Sequence, residues 1–119
     1  MTVTRLRQLA VLASLAIPAL AYALPPDAKK IDVVAHKYAF EPSHIELKVG
    51  EPVEITFRST DTKHGFVSKD LGLEKVVFSK DQPATVKFTP SKAGTFAFKC
   101  ARFCGMGHGK MKGEIVVTP

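Results

Sequence analysis

Four side chains able to hold a soft metal ion fall within twelve residues near the carboxyl end. In CARFCGMGHGKM, Cys100 and Cys104 are four apart, His108 follows Cys104 by four, and Met111 follows His108 by three. The stretch contains both cysteines of the chain, one of its four histidines and two of its three methionines. Two cysteines in an exported chain first suggest a disulfide. A bridge between neighbours this close restricts the unfolded chain only modestly. It also leaves His108 and Met111 without a role. Thiolate, imidazole and thioether together form a donor set that selects copper, above all where the ion cycles between oxidation states. Zinc rarely accepts methionine. Cysteine nucleophile chemistry is the weaker reading of Cys104 and His108, because no third orienting group or oxyanion donor accompanies them.

Such a site needs a further nitrogen donor from elsewhere. The best placed is His64, in the polar stretch STDTKHGF, with Phe66 two residues on to anchor it to the core. His36 and His44 lie in or beside strands with no other donor-type residue near and read as ordinary surface or half-buried histidines. Met106, between Gly105 and Gly107, reads as a hydrophobic lid rather than a donor. Lys99, Arg102 and Lys110 flank the thiols, where they either favour their ionisation or are ordinary solvated charge.

Short alternating segments must position these residues. IDVVAH, HIELKV, VEITFRS, ATVKFTP, GTFAFKC and GEIVV alternate apolar with polar side chains. The intervening EPS, VGEP, STDTKHG, SKDQP and PSKAG carry turn chemistry. No stretch keeps a helical period for three turns. Strands recurring every 8–12 residues or so point to an all-β sandwich or barrel. Its expected core is Ile31, Val33, Phe40, Ile45, Leu47, Val53, Ile55, Phe57, Val86, Phe88, Phe96, Phe98, Ile115 and Val117. GTFAFKC then ends at Cys100 and the next strand starts after Gly113. The donors therefore occupy a tight connection that Gly105, Gly107 and Gly109 allow to curl.

The amino end is of another kind. MTVTRLR is basic, LAVLASLAIPAL is apolar and uncharged, and AYA offers small residues for cleavage after Ala23. This order predicts a signal peptide over residues 1–23. The alternative is a retained anchor, in which case the chain meets a membrane. The apolar run Leu9–Leu24 spans only about 24 Å as a helix, short of a hydrocarbon core about 30 Å thick. Residues 24–30 read as a flexible leader and 31–119 as one domain. Of 119 residues, 17 are Lys or Arg and 11 are Asp or Glu, a net charge of +6 that becomes +4 once Arg5 and Arg7 are removed. A basic exported domain favours acidic protein faces or anionic lipid. The lysines are scattered and no aromatic residues interleave with a basic run, which excludes the pattern of a nucleic-acid binder.

The spacing C-x3-C-x3-H-x2-M, with an HGF-type histidine earlier in the chain, resembles the binuclear copper A site of cytochrome c oxidase subunit II and nitrous oxide reductase. The wider resemblance runs from AFEPSHIELKVGEPVEITFRSTDTKHGF through FTPSKAGTFAFKCARFCGMGHGKMKGEIVV and is to a stand-alone periplasmic cupredoxin. It implies a cupredoxin-like Greek-key β-sandwich. It also implies two copper ions bridged by Cys100 and Cys104, with His64 and His108 binding one ion each. Met111 and the main-chain carbonyl of Arg102 would be weak ligands. In the family such a pair shares one electron and passes it on, and no small-molecule substrate is transformed. The match departs at Arg102, where the family usually has glutamate, and in the lack of tryptophan, which the oxidase uses to receive electrons from cytochrome c. The transmembrane hairpin of a typical subunit II is missing from the resemblance. These departures keep two functional classes open, namely electron transfer with a redox partner protein and copper delivery to an acceptor. A metal-free module with Cys100 and Cys104 joined in a disulfide is the third.

Overall fold

A computed structural model describes residues 28–119, together with Ser14. The rest of the expected signal segment and most of the expected leader lie outside the described residues. Nine strands follow one another: β1 (Lys29–His36), β2 (Ala39–Glu41), β3 (His44–Lys48), β4 (Val53–Ser59), β5 (His64–Ser68), β6 (Leu73–Phe78), β7 (Ala84–Phe88), β8 (Gly94–Lys99) and β9 (Lys112–Thr118). The one helical element among the described residues is a single 3-10 turn, His108–Lys110, between β8 and β9. No helix of the described residues is long and apolar enough to cross a membrane. β1 begins at Lys29, so its first two residues fall within the stretch read as leader.

The strands form two sheets, ordered β2-β1-β4-β7 and β3-β9-β8-β5-β6. β1 runs parallel to β4, from Lys29 opposite Val53 to Ala35 opposite Ser59. β3 runs parallel to β9, with Ile45 opposite Ile115 and Leu47 opposite Val117. The remaining pairs are antiparallel. The chain passes repeatedly from one sheet to the other, a sandwich as the short alternating segments allow, of the Greek-key kind that the resemblance implies.

Alternation explains which sides face inward. In β4, Val53, Ile55 and Phe57 are buried while Glu54, Thr56 and Arg58 are not. Ile45 and Leu47 of β3 and Ile115 and Val117 of β9 do the same from the opposite sheet. A chain of rings joins the sheets. Phe57 stacks on Phe66 at 4.4 Å and on Phe78 at 5.5 Å, and Phe98 meets Phe66 at 5.4 Å and Phe40 at 5.2 Å. Truncating a phenylalanine buried this fully costs about 3–5 kcal/mol. Ile31, Val86, Phe88 and Phe96, expected in the core, pack against it but stay partly exposed. Ala35, Phe78 and three residues of the donor set, Cys100, Cys104 and Met111, are part of the core itself.

β5 differs from the expectation of a polar loop around His64. His64 is the first residue of β5 and pairs with Phe78 of β6. Four of the five residues of β5 are buried, on both faces of the strand. The segment leaving β8 covers the outer one. A Cβ on Gly65 would come within 3.0 Å of the Arg102 nitrogen and 3.2 Å of the Ala101 Cβ. Glycine at 65 therefore lets the Cys100–Cys104 segment lie against the strand that carries His64.

Candidate metal centre

The structure brings together the residues singled out by type and spacing. His64, Cys100 and Cys104 are all buried, and their donor atoms lie within 4.8 Å of one another. The two thiols are free and stand 3.8 Å apart. Met111 Sδ lies 3.8 Å from Cys104 Sγ, and His108 Nδ1 lies 3.6 Å from the same sulfur. The Arg102 carbonyl oxygen is 3.1 Å from Cys100 Sγ, while the Arg102 side chain is exposed. His108 is half-buried and lies beside Cys104, outside the three-donor cluster. Met106, expected as a lid, is 95% exposed and covers nothing. His36 and His44 are at the surface, paired with Glu41 and with Glu114 and Glu46.

Each donor has a local reason for its position. β8 ends at Lys99, and the Cys100 N–H donates to the Met111 carbonyl at 2.9 Å, closing the connection at its base. Within it the backbone at Gly105 takes a φ of 139°, which glycine reaches readily. His108 and Met111 are held by N–H bonds to the carbonyls of Gly105 and His108, both at 3.1 Å. The ring of Tyr38 lies across this backbone, so close that a Cβ on Gly105 or Gly107 would overlap it. The connection is thus clasped from outside by Tyr38 and seated from inside on Gly65. Gly109 has open space around its Cα and contributes no such contact.

Asp61 was not singled out by sequence, yet it orients the histidine. His64 Nε2 and Asp61 Oδ1 are 2.7 Å apart. Asp61 also accepts from the Lys37 N–H at 2.7 Å and the Thr62 N–H at 2.6 Å. Burial pushes the Asp61 carboxyl up, but the bonds from Lys37, His64 and Thr62 outweigh it and hold it down at about 2. A carboxylate only accepts, so His64 donates from Nε2, and in the neutral ring Nδ1 carries the lone pair. That atom is buried and has no hydrogen-bond partner among the described residues. Leaving a buried polar atom unpaired costs about 1–3 kcal/mol. The D-x-x-H spacing of Asp61 and His64 was the available signal for this pair.

These residues fit a soft metal. Two sulfur donors of one ion stand no more than about 4.6 Å apart at bond lengths near 2.3 Å, and the thiols meet that limit. The unpaired His64 nitrogen is the acceptor such an ion would satisfy, and its Nε2 partner is the carboxylate that metal-binding histidines ordinarily use. The Cys104 thiol is not poised to ionise unaided. Burial, then the bond and charge of Cys100, push the Cys104 thiol up to about 11. Lys99, Arg102 and Lys110 are exposed, in keeping with their reading as solvated charge rather than as groups that ease ionisation of Cys104. Capture of a metal by Cys104 therefore releases a proton.

Comparison with known proteins agrees with the fold. The pattern of the cupredoxin-like domain family matches residues 8–117. The chain is 29% identical over 92 residues to a cytochrome c oxidase subunit 2 of Thermus thermophilus, covering 77% of this chain and 67% of that protein. It superimposes with a TM-score of 0.69 on the periplasmic domain of subunit II of cytochrome oxidase (CoxB) of Bradyrhizobium japonicum, at 16% identity over 80% of this chain and 88% of that one. It also superimposes with a TM-score of 0.63 on the metal binding domain of the Streptococcus pneumoniae Cu(I) exporting P-type ATPase CopA with Cu(I), at 27% identity over 82% and 92% of the two chains.

Proposed function

The chain belongs to the cupredoxin-like domain family, and we propose that within it this protein is a periplasmic electron-transfer module with a binuclear copper centre of the oxidase subunit II type. The supporting observation is the pair of buried thiols 3.8 Å apart with the unpaired His64 Nδ1 beside them. Cys100 and Cys104 would bridge the ions, His64 and His108 would each bind one, and Met111 and the Arg102 carbonyl would be weak ligands. One imidazole in the three-donor cluster and one beside Cys104 alone suit two ions sharing two sulfurs better than one ion taking every donor.

Bound there, a copper pair would supply a one-electron carrier. The chain's own residues supply rigidity and dryness. Asp61 holds the His64 ring in one tautomer and one orientation. Tyr38 and Gly65 grip the connection from either side, so its backbone has little freedom to follow a change of charge. Burial of Cys100, Cys104, Met111 and His64 keeps water, and its reorientation, away from the sulfurs. No bond of a substrate is made or broken.

Copper-to-protein ratio, with visible and EPR spectra of the loaded domain, tests this reading. The expected result is two coppers per chain and one unpaired electron shared over both. A four-line spectrum of a single blue copper overturns it.

A second reading is copper delivery, favoured by the likeness to the CopA metal binding domain and by arginine at position 102. Transfer of Cu(I) to a metal-free acceptor supports that reading. Copper retained through long incubation with acceptors, together with a reversible redox couple, excludes it.

A further inference from the structure

We propose that the outer face of the ligand connection is a docking surface for a protein with an acidic face, such that this chain's redox partner is acidic. The partner class rests on the electron-transfer reading above; the surface itself rests on exposure and charge. Four large apolar side chains are exposed among the described residues: Val49 at 40%, Val77 at 46%, Phe103 at 69% and Met106 at 95%. The two most exposed lie in the connection between β8 and β9, three residues apart. Methionine and aromatic side chains are enriched at protein interfaces.

The stretch of chain that carries them has charge of one sign. From Gln82 to Gly113 the chain carries Lys87, Lys92, Lys99, Arg102, Lys110 and Lys112 and no acidic residue. Lys99, Arg102, Lys110 and Lys112, nearest the connection, are all exposed, as are Lys37 and Lys63 beside the Asp61–His64 pair. Two acids lie near in sequence: Glu114, paired with His44, and Asp61, bonded by His64 and the N–H groups of Lys37 and Thr62. Complementary charge at the rim of such a face governs encounter rate and choice of partner more than tightness.

The face also coincides with the shortest way out of the donor cluster. His64, Cys100, Cys104 and Met111 are buried, whereas His108 is half-buried and its ring is 5.7 Å from that of Phe103. A partner seated on Phe103 and Met106 is therefore in contact with the one donor side chain that reaches the surface. Lysines around an apolar centre accept a carboxylate-rimmed protein and repel a lysine-rimmed one.

Amide NMR shifts of the full chain test this, with an acidic and a basic c-type cytochrome as probes, on the reduced metal-free protein and again after Cu(I) loading. The acidic cytochrome is expected to shift amides of residues 102–110. Raising ionic strength from about 0.01 to about 0.15 M, which shortens the screening length from about 30 to about 8 Å, weakens that association about fivefold or more. Lys110→Glu lowers it several-fold, and Met106→Gln lowers it without altering the copper spectrum. Equal response to both cytochromes, shifts confined to other surfaces, or no response overturns the proposal. So does displacement of the cytochrome by phosphatidylglycerol vesicles acting on the same amides, which assigns the face to lipid. If two coppers fail to bind while the acidic probe still docks, the functional reading falls and the surface stands. If copper binds with no acidic preference, the surface alone falls.

Discussion

Asp61, His64 and Cys100 each have one task that one substitution can isolate. Removing the Asp61 carboxylate leaves the His64 ring free to turn and to exchange tautomers, and outer partners of this kind are worth about 10–100-fold in metal affinity. Asp61→Ala is expected to lower copper affinity by that factor in competition with a chromophoric Cu(I) chelator. Asp61→Asn, whose amide oxygen still accepts from Nε2, is expected to recover much of it. Cys100→Ser removes one of the two sulfurs and leaves Cys104, His64, His108 and Met111 for at most one copper. Metal analysis still returning two coppers per chain would contradict the bridging assignment. The donor residues were legible in sequence because cysteine, histidine and methionine at this short spacing form a soft donor set that packing alone seldom requires. Asp61 was not, since an aspartate among Ser59, Thr60 and Thr62 has the look of ordinary turn chemistry. Nor did sequence show that burial governs Cys104.

The elements were legible where one face of a strand is wet. β3, β4 and β9 show the alternation in their residues and take up the positions it predicts. β5 gives no such signal, because HGFVS is covered on both faces, by the core and by the ligand connection. β2 is three residues long, too short to carry a period. β6 lies at the edge of its sheet, and Phe78 is its one buried residue. The glycines of the connection looked equivalent in sequence and are not. A Cβ at Gly107 would overlap Tyr38, while one at Gly109 would meet nothing. Gly107→Ala is expected to destabilise the metal-free protein by about 1–3 kcal/mol, the usual cost of overpacking. Gly109→Ala is expected to melt within a degree or so of the parent, and thermal unfolding of the two side by side checks the clasp.

At the scale of the whole molecule, the sandwich is tied at its surface by histidine–carboxylate pairs. The bond to the Glu41 carboxylate, then that to the Lys37 carbonyl, raise His36 above its ordinary 6.5. The bonds to the Glu114 and Glu46 carboxylates raise His44 in the same way. A raised folded-state value means stability that is fully present below about pH 6.5 and is lost as pH climbs through the folded values. Both rings are well exposed, so solvent screening keeps the effect small. Urea unfolding of the metal-free protein is expected to show a slightly lower midpoint at pH 8 than at pH 6. His44→Gln should remove part of that slope, and an unchanged slope would show that the His44–Glu114 pair contributes nothing.

The pairing of β5 with the end of β8, Val67 opposite Lys99, joins parts of the chain far apart in sequence. Four of the side-chain donors are contiguous enough to chelate without any fold, whereas His64 arrives only when the second sheet closes. Under the copper reading, the denatured chain is then itself a competitor for the ion. Any rise in melting temperature on loading reports the ratio of folded to unfolded affinities rather than the folded affinity alone. A very tight Cu(I) complex that protects only weakly against heat is the outcome this strand order dictates.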